Sequence, residues 1–326
     1  MKVKLTHFVG VVLALFIGVT FGVALQKYYD VGSIVDTLGV NHRPFPAPTT
    51  LTAEDNIPEE FQGELSLFIL AGQSNIAGRG EVPESGQNAN ARVFVFGNDY
   101  HWRIAVEPID DPSNQVDKVS EDPDAGFSPA LAFATSLLEQ RPDMVIGLIP
   151  CARGGSSIYQ WRRSLSENTL YGSCLKRVRA ASTMGKVAGV LFFQGEADAI
   201  APELYQESAL FPNEWGDRFM VFVNNWRNDL GLPELPVVFA QIGSNTEPDV
   251  FTNWAVVKEQ QRSVEMPFCV MITTGDLALK DAVHFTPESY QIIGQRFAEA
   301  YLNLIQEKSF LPASSTFSST KEEQNE

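Results

Sequence analysis

A serine, together with an aspartate and a histidine far along the chain, is the set of residues in this sequence that suggests chemistry. Ser74 lies in the segment 68–80, FILAGQSNIAGRG, where a run of strand-forming residues gives way to a turn of small and amide side chains. Asp281 and His284 lie close together in a DAVH segment near the C-terminus. A serine hydroxyl is a poor nucleophile until a base takes its proton, and a carboxylate orients that base. These residue types predict a hydrolase triad of Ser74, His284 and Asp281.

Each member of this triad also has an ordinary structural interpretation. A serine at a strand–helix turn often caps the helix, and an aspartate beside a histidine is common on protein surfaces. The remaining histidines offer weak competition as the base, because His7 and His42 precede the globular part of the chain and His101 lies in a loop that contains tryptophan.

Acyl transfer also needs hydrogen-bond donors for the oxyanion, each contributing on the order of 3 kcal/mol in the transition state. The backbone N–H of Ser74 is one candidate, and that of Gly155, in the segment ARGGSS, is a second because glycine lets the backbone approach a ligand closely. The side-chain amide of Gln194, in QGEAD, is a third candidate. The alternative for Gln194 is a structural role at the end of a strand.

Other residues of these segments are candidates for substrate contact. Arg153 suits hydroxyl or carboxylate groups, and the ring of Trp161 suits the apolar face of a sugar, although it also suits an anchor in the core. Glu196 and Asp198 are spaced as local hydrogen-bonding groups that brace a glycine turn rather than as the carboxylate pair of a glycosidase. We include Glu196 among the substrate-binding candidates.

The elements that must position these residues alternate between two periodicities. Short apolar runs that predict strands are followed by longer amphipathic segments that predict helices. The strands are expected at 65–70, 92–96, 145–149, 189–193, 237–242 and 268–273, and the helices at 129–139, 174–182, 215–229, 254–265 and 287–305. This alternation predicts a parallel sheet with helices on both faces. The four segments that contain Ser74, Gly155, Gln194 and His284 each follow the end of a predicted strand. In a parallel sheet we therefore expect them to meet at one edge.

Composition limits the partners. The chain has 24 Lys and Arg residues against 40 Asp and Glu residues, a formal net charge of −16. Such a surface repels phosphate backbones, which argues against nucleic-acid binding. The sequence contains no HExxH or phosphate-loop pattern and no Cys/His spacing typical of a metal site, so we expect chemistry without metal or cofactor.

The two ends of the chain differ from its centre. Residues 1–25 combine a basic start with an uncharged stretch from residue 8 to residue 25, which predicts a signal peptide or a membrane anchor, with a buried core helix as a third alternative. Residues 26–63 form a proline-containing linker, 64–306 a single catalytic domain and 307–326 a disordered tail. We therefore expect an exported or membrane-anchored protein whose folded part lies outside the cytoplasm.

The chain has three cysteines, an odd number. In an exported protein Cys151 and Cys174 could pair across a loop and leave Cys269 free. The alternative is three free thiols in the core.

The four motifs GQSN, GGSSIYQW, QGEAD and DAVH resemble, in this order, the conserved blocks of one branch of the SGNH hydrolases. This branch contains the sialate O-acetylesterases and the acetyl xylan esterases of carbohydrate esterase family 6. The resemblance extends over residues 64–303. This chain departs from the family at two positions. It has Ile76 where the family frequently has methionine, and Ser156, which keeps a hydroxyl, where the family commonly has threonine.

The resemblance implies a three-layer α/β/α, flavodoxin-like fold and metal-free removal of acetyl groups from carbohydrates. It places Ser74 as the nucleophile, His284 and Asp281 as its partners, and Gly155 and Gln194 at the oxyanion site. We therefore expect a serine esterase acting on an acetylated carbohydrate. The alternatives are an SGNH esterase for longer acyl chains and a carbohydrate-binding protein without catalytic activity. The sugar and the oligomeric state do not follow from the sequence.

Overall fold

The computed structural model describes residues 57–83, 89–205 and 211–310. The targeting segment 1–25, the linker up to residue 56 and the tail from residue 311 lie outside these ranges, and the expectations for them stay predictions. Within the described ranges, no helix has both the length and the apolar character needed to cross a bilayer.

A single sheet forms the centre of the molecule. Its strands are β1 (Leu65–Gly72), β2 (Val93–Phe96), β3 (Trp102–Ile104), β4 (Ile146–Pro150), β5 (Gly185–Phe193), β6 (Val237–Ala240) and β7 (Cys269–Ile272). The strand order is β3-β2-β4-β1-β5-β6-β7. All neighbours are parallel except β2 and β3, which pair antiparallel at one edge. The central strands are apolar on both faces because both faces are covered.

Helices cover the two faces of this sheet. They are α1 (Ser74–Ala77), α2 (Ala130–Gln140), α3 (Leu170–Ala181), α4 (Glu196–Ala199), α5 (Trp215–Leu230), α6 (Trp254–Arg262) and α7 (Pro287–Phe310). One apolar cluster packs α2 and α7 against the sheet, and a second packs α3, α5 and α6 against the opposite face. The result is the predicted three-layer α/β/α architecture.

Each predicted strand and helix is present, with ends displaced by a few residues. Helix α3 begins earlier than predicted because Thr169 caps it, its Oγ1 accepting the Gly172 N–H at 3.2 Å. Strand β3 was not predicted, and it makes the sheet mostly rather than wholly parallel. Its three residues are too few to produce a periodic signal.

The carboxyl ends of β1, β4 and β5 reach the same edge of the sheet. Gly72 lies opposite Phe193, and Leu70 lies opposite Pro150. Gly72 has φ +130°, and a Cβ atom on it would come within 2.2 Å of the Phe193 carbonyl oxygen. Only glycine fits this position, so the close approach of β1 and β5 depends on it.

A disulfide bond joins Cys151 to Cys174 and so connects the first residue after β4 to α3. Their Cα atoms are 5.4 Å apart, within the usual range for such a bond. Cys269, on β7, is free. Of the two alternatives left open by the sequence, the structure has the paired one.

Candidate active site

Ser74, His284 and Asp281 form a continuous hydrogen-bonded series. Nε2 of His284 lies 2.9 Å from Oγ of Ser74, and Nδ1 of the same ring lies 2.9 Å from Oδ2 of Asp281. With its hydrogen on Nδ1, the imidazole donates to the carboxylate and accepts the serine hydroxyl. Ser74 and His284 come together although they are 210 residues apart in the chain. This is the geometry that a serine needs to become a nucleophile.

The carboxylate of Asp281 is held in its ionised form by the loop that carries it. Burial alone would raise its pKa, but the backbone N–H groups of His284 and Val283 both donate to Oδ1, at 2.9 and 3.1 Å, and the pKa of Asp281 is lowered overall. An ionised Asp281 can therefore stabilise a positive charge on His284 when the ring takes up a proton.

The first helix places Ser74 at the end of a buried strand. Strand β1 ends at Gly72, and α1 is a single turn that begins at Ser74. The first N–H groups of a helix have no partner within it. The Ser74 N–H has no acceptor among the described residues, so it is available at the point where its own side chain would attack.

A glycine turn lies beside the serine. Ser156 N donates to the Arg153 carbonyl at 3.2 Å, which closes a turn with Gly155 in its third position at φ +69°. The turn is fastened to β1 because Arg153 N and the Ser156 hydroxyl both donate to the Gly72 carbonyl, at 3.1 and 3.2 Å. The Gly155 N–H has no acceptor among the described residues and is free to donate to a ligand.

These groups line a cleft of about 430 Å³ at the carboxyl edge of the sheet. Ser74 and His284 lie in it together with Gly155, Arg153 and Glu196. The residues predicted from four separate motifs thus meet in one place. The arrangement can activate a hydroxyl nucleophile and offer N–H donors to the oxygen of an attacked carbonyl.

The sequence model of the family described as "Carbohydrate esterase, sialic acid-specific acetylesterase" matches residues 64–303. The chain belongs to this family. The resemblance stated from the four motifs is therefore confirmed, and a carbohydrate esterase function in the general sense follows from the membership.

Comparisons of this chain with individual proteins agree with that assignment. It is 30% identical over 257 residues to a "probable carbohydrate esterase" of Arabidopsis thaliana, a match that covers 73% of this chain and 90% of the relative. An X-ray structure of an Arabidopsis thaliana protein has 29% identity and a TM-score of 0.61, over 74% of this chain and 98% of that one. A carbohydrate acetylesterase from Xanthomonas citri, at 18% identity and a TM-score of 0.55 over 74% of this chain and 57% of its own, supports the fold alone.

The structure corrects the prediction for Gln194. Its amide nitrogen donates to the Ser156 carbonyl at 2.9 Å and also contacts Gln73 and Asp198, while its oxygen accepts the Trp215 N–H at 2.8 Å. Both amide hydrogens are used and the side chain is fully buried. Gln194 braces the strand ends, which is its alternative interpretation, and leaves no donor for an oxyanion.

Trp161 likewise belongs to the core of the esterase. Its ring packs edge-on against Phe192 and Phe222, and its N–H donates to the Ser156 hydroxyl at 3.0 Å. The side chain is fully buried, so the predicted stacking on a sugar is replaced by support of the glycine turn from beneath.

Arg153 and Glu196 do line the cleft. Arg153 donates from Nη1 to the Glu121 carbonyl at 2.5 Å, and its other N–H groups have no acceptor in the described parts of the chain. Glu196 accepts from Asn75 through Oε1, while its Oε2 has no partner among the described residues. Burial raises the pKa of Glu196 to about 7. Asp198 has the bracing role predicted for it, accepting the Ile158 N–H at 3.0 Å.

Sequence reasoning missed three residues of this site. Asn75 joins the helix that carries Ser74 to the loop that carries His284, and Arg79 pairs with Asp122 against the glycine turn. Asn75 and Arg79 lie within the same motif as Ser74, which is the only signal the sequence offered. Asp122 lies in a loop for which no motif could be assigned.

Proposed function

We propose that this chain is a serine esterase that removes O-acetyl groups from a carbohydrate through an acetyl-Ser74 intermediate. The observation that carries the proposal is the hydrogen-bonded series of Ser74, His284 and Asp281 in an open cleft. Family membership supports the esterase class, and the residues present support the serine mechanism.

In the first step, Oγ of Ser74 attacks the acetyl carbonyl carbon while Nε2 of His284 takes the hydroxyl proton. The carbonyl oxygen becomes an oxyanion, which the N–H groups of Ser74 and Gly155 stabilise. The C–O bond to the sugar then breaks, and His284 returns its proton to the departing sugar oxygen. Asp281 stabilises the imidazolium between these two transfers.

In the second step, water replaces the sugar. His284 takes a proton from the water as it attacks the acetyl-Ser74 carbonyl, and the same two N–H groups stabilise the new oxyanion. The Ser74–acyl bond breaks, Ser74 regains its proton from His284, and acetate leaves. No step requires a metal or a cofactor.

For the substrate, we propose an acetylated sugar that carries a carboxylate, as in sialic acid. Arg153 presents to the cleft N–H groups that have no acceptor among the described residues, and a guanidinium binds a carboxylate in a two-pronged arrangement. A local positive group of this kind would be needed to bind an anion on a chain of net charge −16. Glu196 lines the same cleft and is a candidate partner for a sugar hydroxyl.

We also propose that the protein functions outside the cytoplasm, exported or held at a membrane by its N-terminal segment. The disulfide between Cys151 and Cys174 supports an oxidising compartment. The uncharged stretch from residue 8 to residue 25 supports export.

The direct test is hydrolysis of p-nitrophenyl acetate by the full chain and by Ser74→Ala, His284→Ala and His101→Ala variants. We expect kcat/KM to fall by about 10³-fold or more in the first two variants and to stay at the parental value in the third, whose histidine lies outside the cleft. A folded parent without activity would contradict the proposal, and glycan binding without turnover would then favour the binding-protein alternative.

The substrate proposal is tested with O-acetylated sialic acid, acetylated xylan and p-nitrophenyl esters of increasing acyl length. We expect release of acetate from the sialic acid at the highest kcat/KM, and a preference for acetyl over butyryl esters. A preference for acetylated xylan would contradict the carboxylate contact. A preference for longer acyl chains would favour the lipase-like alternative.

A further inference from the structure

A buried ion pair packs against the glycine turn at the wall of the cleft. Nη2 of Arg79 donates to both carboxylate oxygens of Asp122, at 2.9 and 2.8 Å, and Nη1 of Arg79 donates to the Gly78 carbonyl at 2.7 Å. The Asp122 side chain is 2% exposed and that of Arg79 is 13% exposed. The pair therefore links the loop after α1 to the loop that precedes α2.

The same carboxylate also holds the glycine turn. Oδ2 of Asp122 accepts the backbone N–H of Gly154 at 2.6 Å. A second bond joins the same two loops, since Arg153 donates to the Glu121 carbonyl. A hydrogen bond from an N–H to an ionised carboxylate is shorter and about twice as strong as one to a neutral acceptor. Asp122 is therefore well suited to fix the second residue of this turn.

The space around the two glycines shows how closely the ion pair fits. A Cβ atom on Gly154 would lie 2.3 Å from Nη2 of Arg79 and 2.8 Å from Oδ2 of Asp122. A Cβ atom on Gly155 would meet nothing within 4 Å. Both glycines line the cleft, but Gly154 packs against the ion pair while Gly155 has open space beside it. The direction of the Gly155 N–H follows from how Gly154 is held.

We infer that Asp122 is a positioning residue for the oxyanion site and that Arg79 supplies its counter-charge. This inference rests on the proposed esterase function. By accepting the Gly154 N–H, Asp122 keeps the turn in the conformation that aims the Gly155 N–H at the carbonyl oxygen. It acts through the turn, which its carboxylate supports from the wall of the same cleft.

Because Asp122 is charged, a positioning role and a purely electrostatic role predict opposite effects of removing its carboxylate. A carboxylate near a developing oxyanion opposes its formation, and the Arg79 guanidinium offsets that effect. If charge alone mattered, removing the carboxylate would leave Arg79 unopposed and would speed the reaction. If positioning matters, the same change slows it, because a misplaced donor costs up to about 10²-fold.

The test compares the parent chain with Asp122→Asn and with Asp229→Asn as the matched control. Asp229 forms a two-bond pair with Arg163, at 2.9 and 3.0 Å, outside the cleft; its side chain is 11% exposed. With p-nitrophenyl acetate we expect Asp122→Asn to lower kcat by about 10- to 100-fold while KM changes less than about 3-fold. Asp229→Asn is expected to keep the parental kcat.

A second measurement distinguishes a displaced oxyanion donor from a general disturbance of the fold. Methylboronic acid forms a tetrahedral adduct with an active serine, so its binding depends on the oxyanion donors. We expect its inhibition constant to rise in Asp122→Asn by about the factor that kcat loses. If this variant does not fold, Asp122→Glu, which keeps the charge and displaces it by one methylene, is expected to show the same pattern.

The outcomes are distinct. Parental or higher kcat in folded Asp122→Asn, or in Asp122→Glu where that variant replaces it, would overturn the positioning role and leave the esterase proposal standing. An unchanged inhibition constant would also overturn it. A folded parent without any activity would instead remove the esterase proposal and this inference with it.

Discussion

Asn75, the neighbour of the proposed nucleophile, joins three distant segments through one buried amide. Its Nδ2 donates to the Val283 carbonyl at 3.1 Å and to Oε1 of Glu196, and its Oδ1 accepts the Tyr290 hydroxyl at 2.7 Å. Val283 immediately precedes His284, the proposed base. The distance between the serine and the imidazole therefore depends on a residue that performs no chemistry.

We expect Asn75→Ala to lower both stability and activity. It leaves Glu196 and the Tyr290 hydroxyl without this partner, which costs about 1–3 kcal/mol in the free energy of unfolding for each buried group. It also loosens the histidine loop, so kcat should fall by about 10- to 100-fold. Urea unfolding and p-nitrophenyl acetate kinetics measure the two effects.

The control for this variant is Asn225→Ala on α5, whose Nδ2 has no partner among the described residues. We expect it to change kcat little. A parental kcat in Asn75→Ala, measured on the folded fraction, would show that the histidine loop is held in place without this amide.

The residues of the site differ in how far the sequence could predict them. Ser74, Gly155 and His284 were predictable because each follows a strand end, and parallel strand ends share one edge. The roles of Asn75 and Asp122 depend on partners up to 215 and 43 residues away, and no local pattern encodes such partners.

At the scale of elements, the disulfide fixes α3 to the end of β4. Cys151 directly follows the strand and precedes the glycine turn, while Cys174 lies in α3. The predicted fold contained both elements because their periodicities are strong. The predicted fold lacked β3, because three residues are too few to show a period. The pairing of the cysteines stayed open, because their spacing in the sequence does not give the distance between them in the fold.

We expect the double variant Cys151→Ala/Cys174→Ala to lose about 3 kcal/mol in the free energy of unfolding, since the bond closes a loop of 23 residues. Urea unfolding of the parent with and without dithiothreitol should reproduce the loss. Cys269→Ala removes the free thiol and keeps the disulfide. Its free energy of unfolding should differ from that of the parent by a smaller amount, and this difference should be the same with and without dithiothreitol. Equal midpoints with and without reductant would contradict a stabilising bond.

At the scale of the whole molecule, four buried carboxyl groups link folding to pH. Burial raises the pKa of Glu107 to about 8 and those of Asp110, Glu196 and Asp198 to about 7 each. In the unfolded chain the same groups ionise near 4. Between these values the folded protein binds more protons than the unfolded chain, so its stability falls as pH rises.

We expect the free energy of unfolding to decline from pH 5 to pH 8, as measured by urea unfolding at constant ionic strength. Carboxylates with lowered pKa values, such as Asp276 at about 2, affect stability only below this window.

Glu107→Gln, which removes one buried acid and keeps its size, should show a shallower decline than the parent. Glu139→Gln, at an exposed position on α2, should keep the parental slope, because it retains the four buried acids with raised pKa values and nearly the same overall charge repulsion. Equal slopes in the two variants would mean that surface charge, and not buried Glu107, sets the pH dependence.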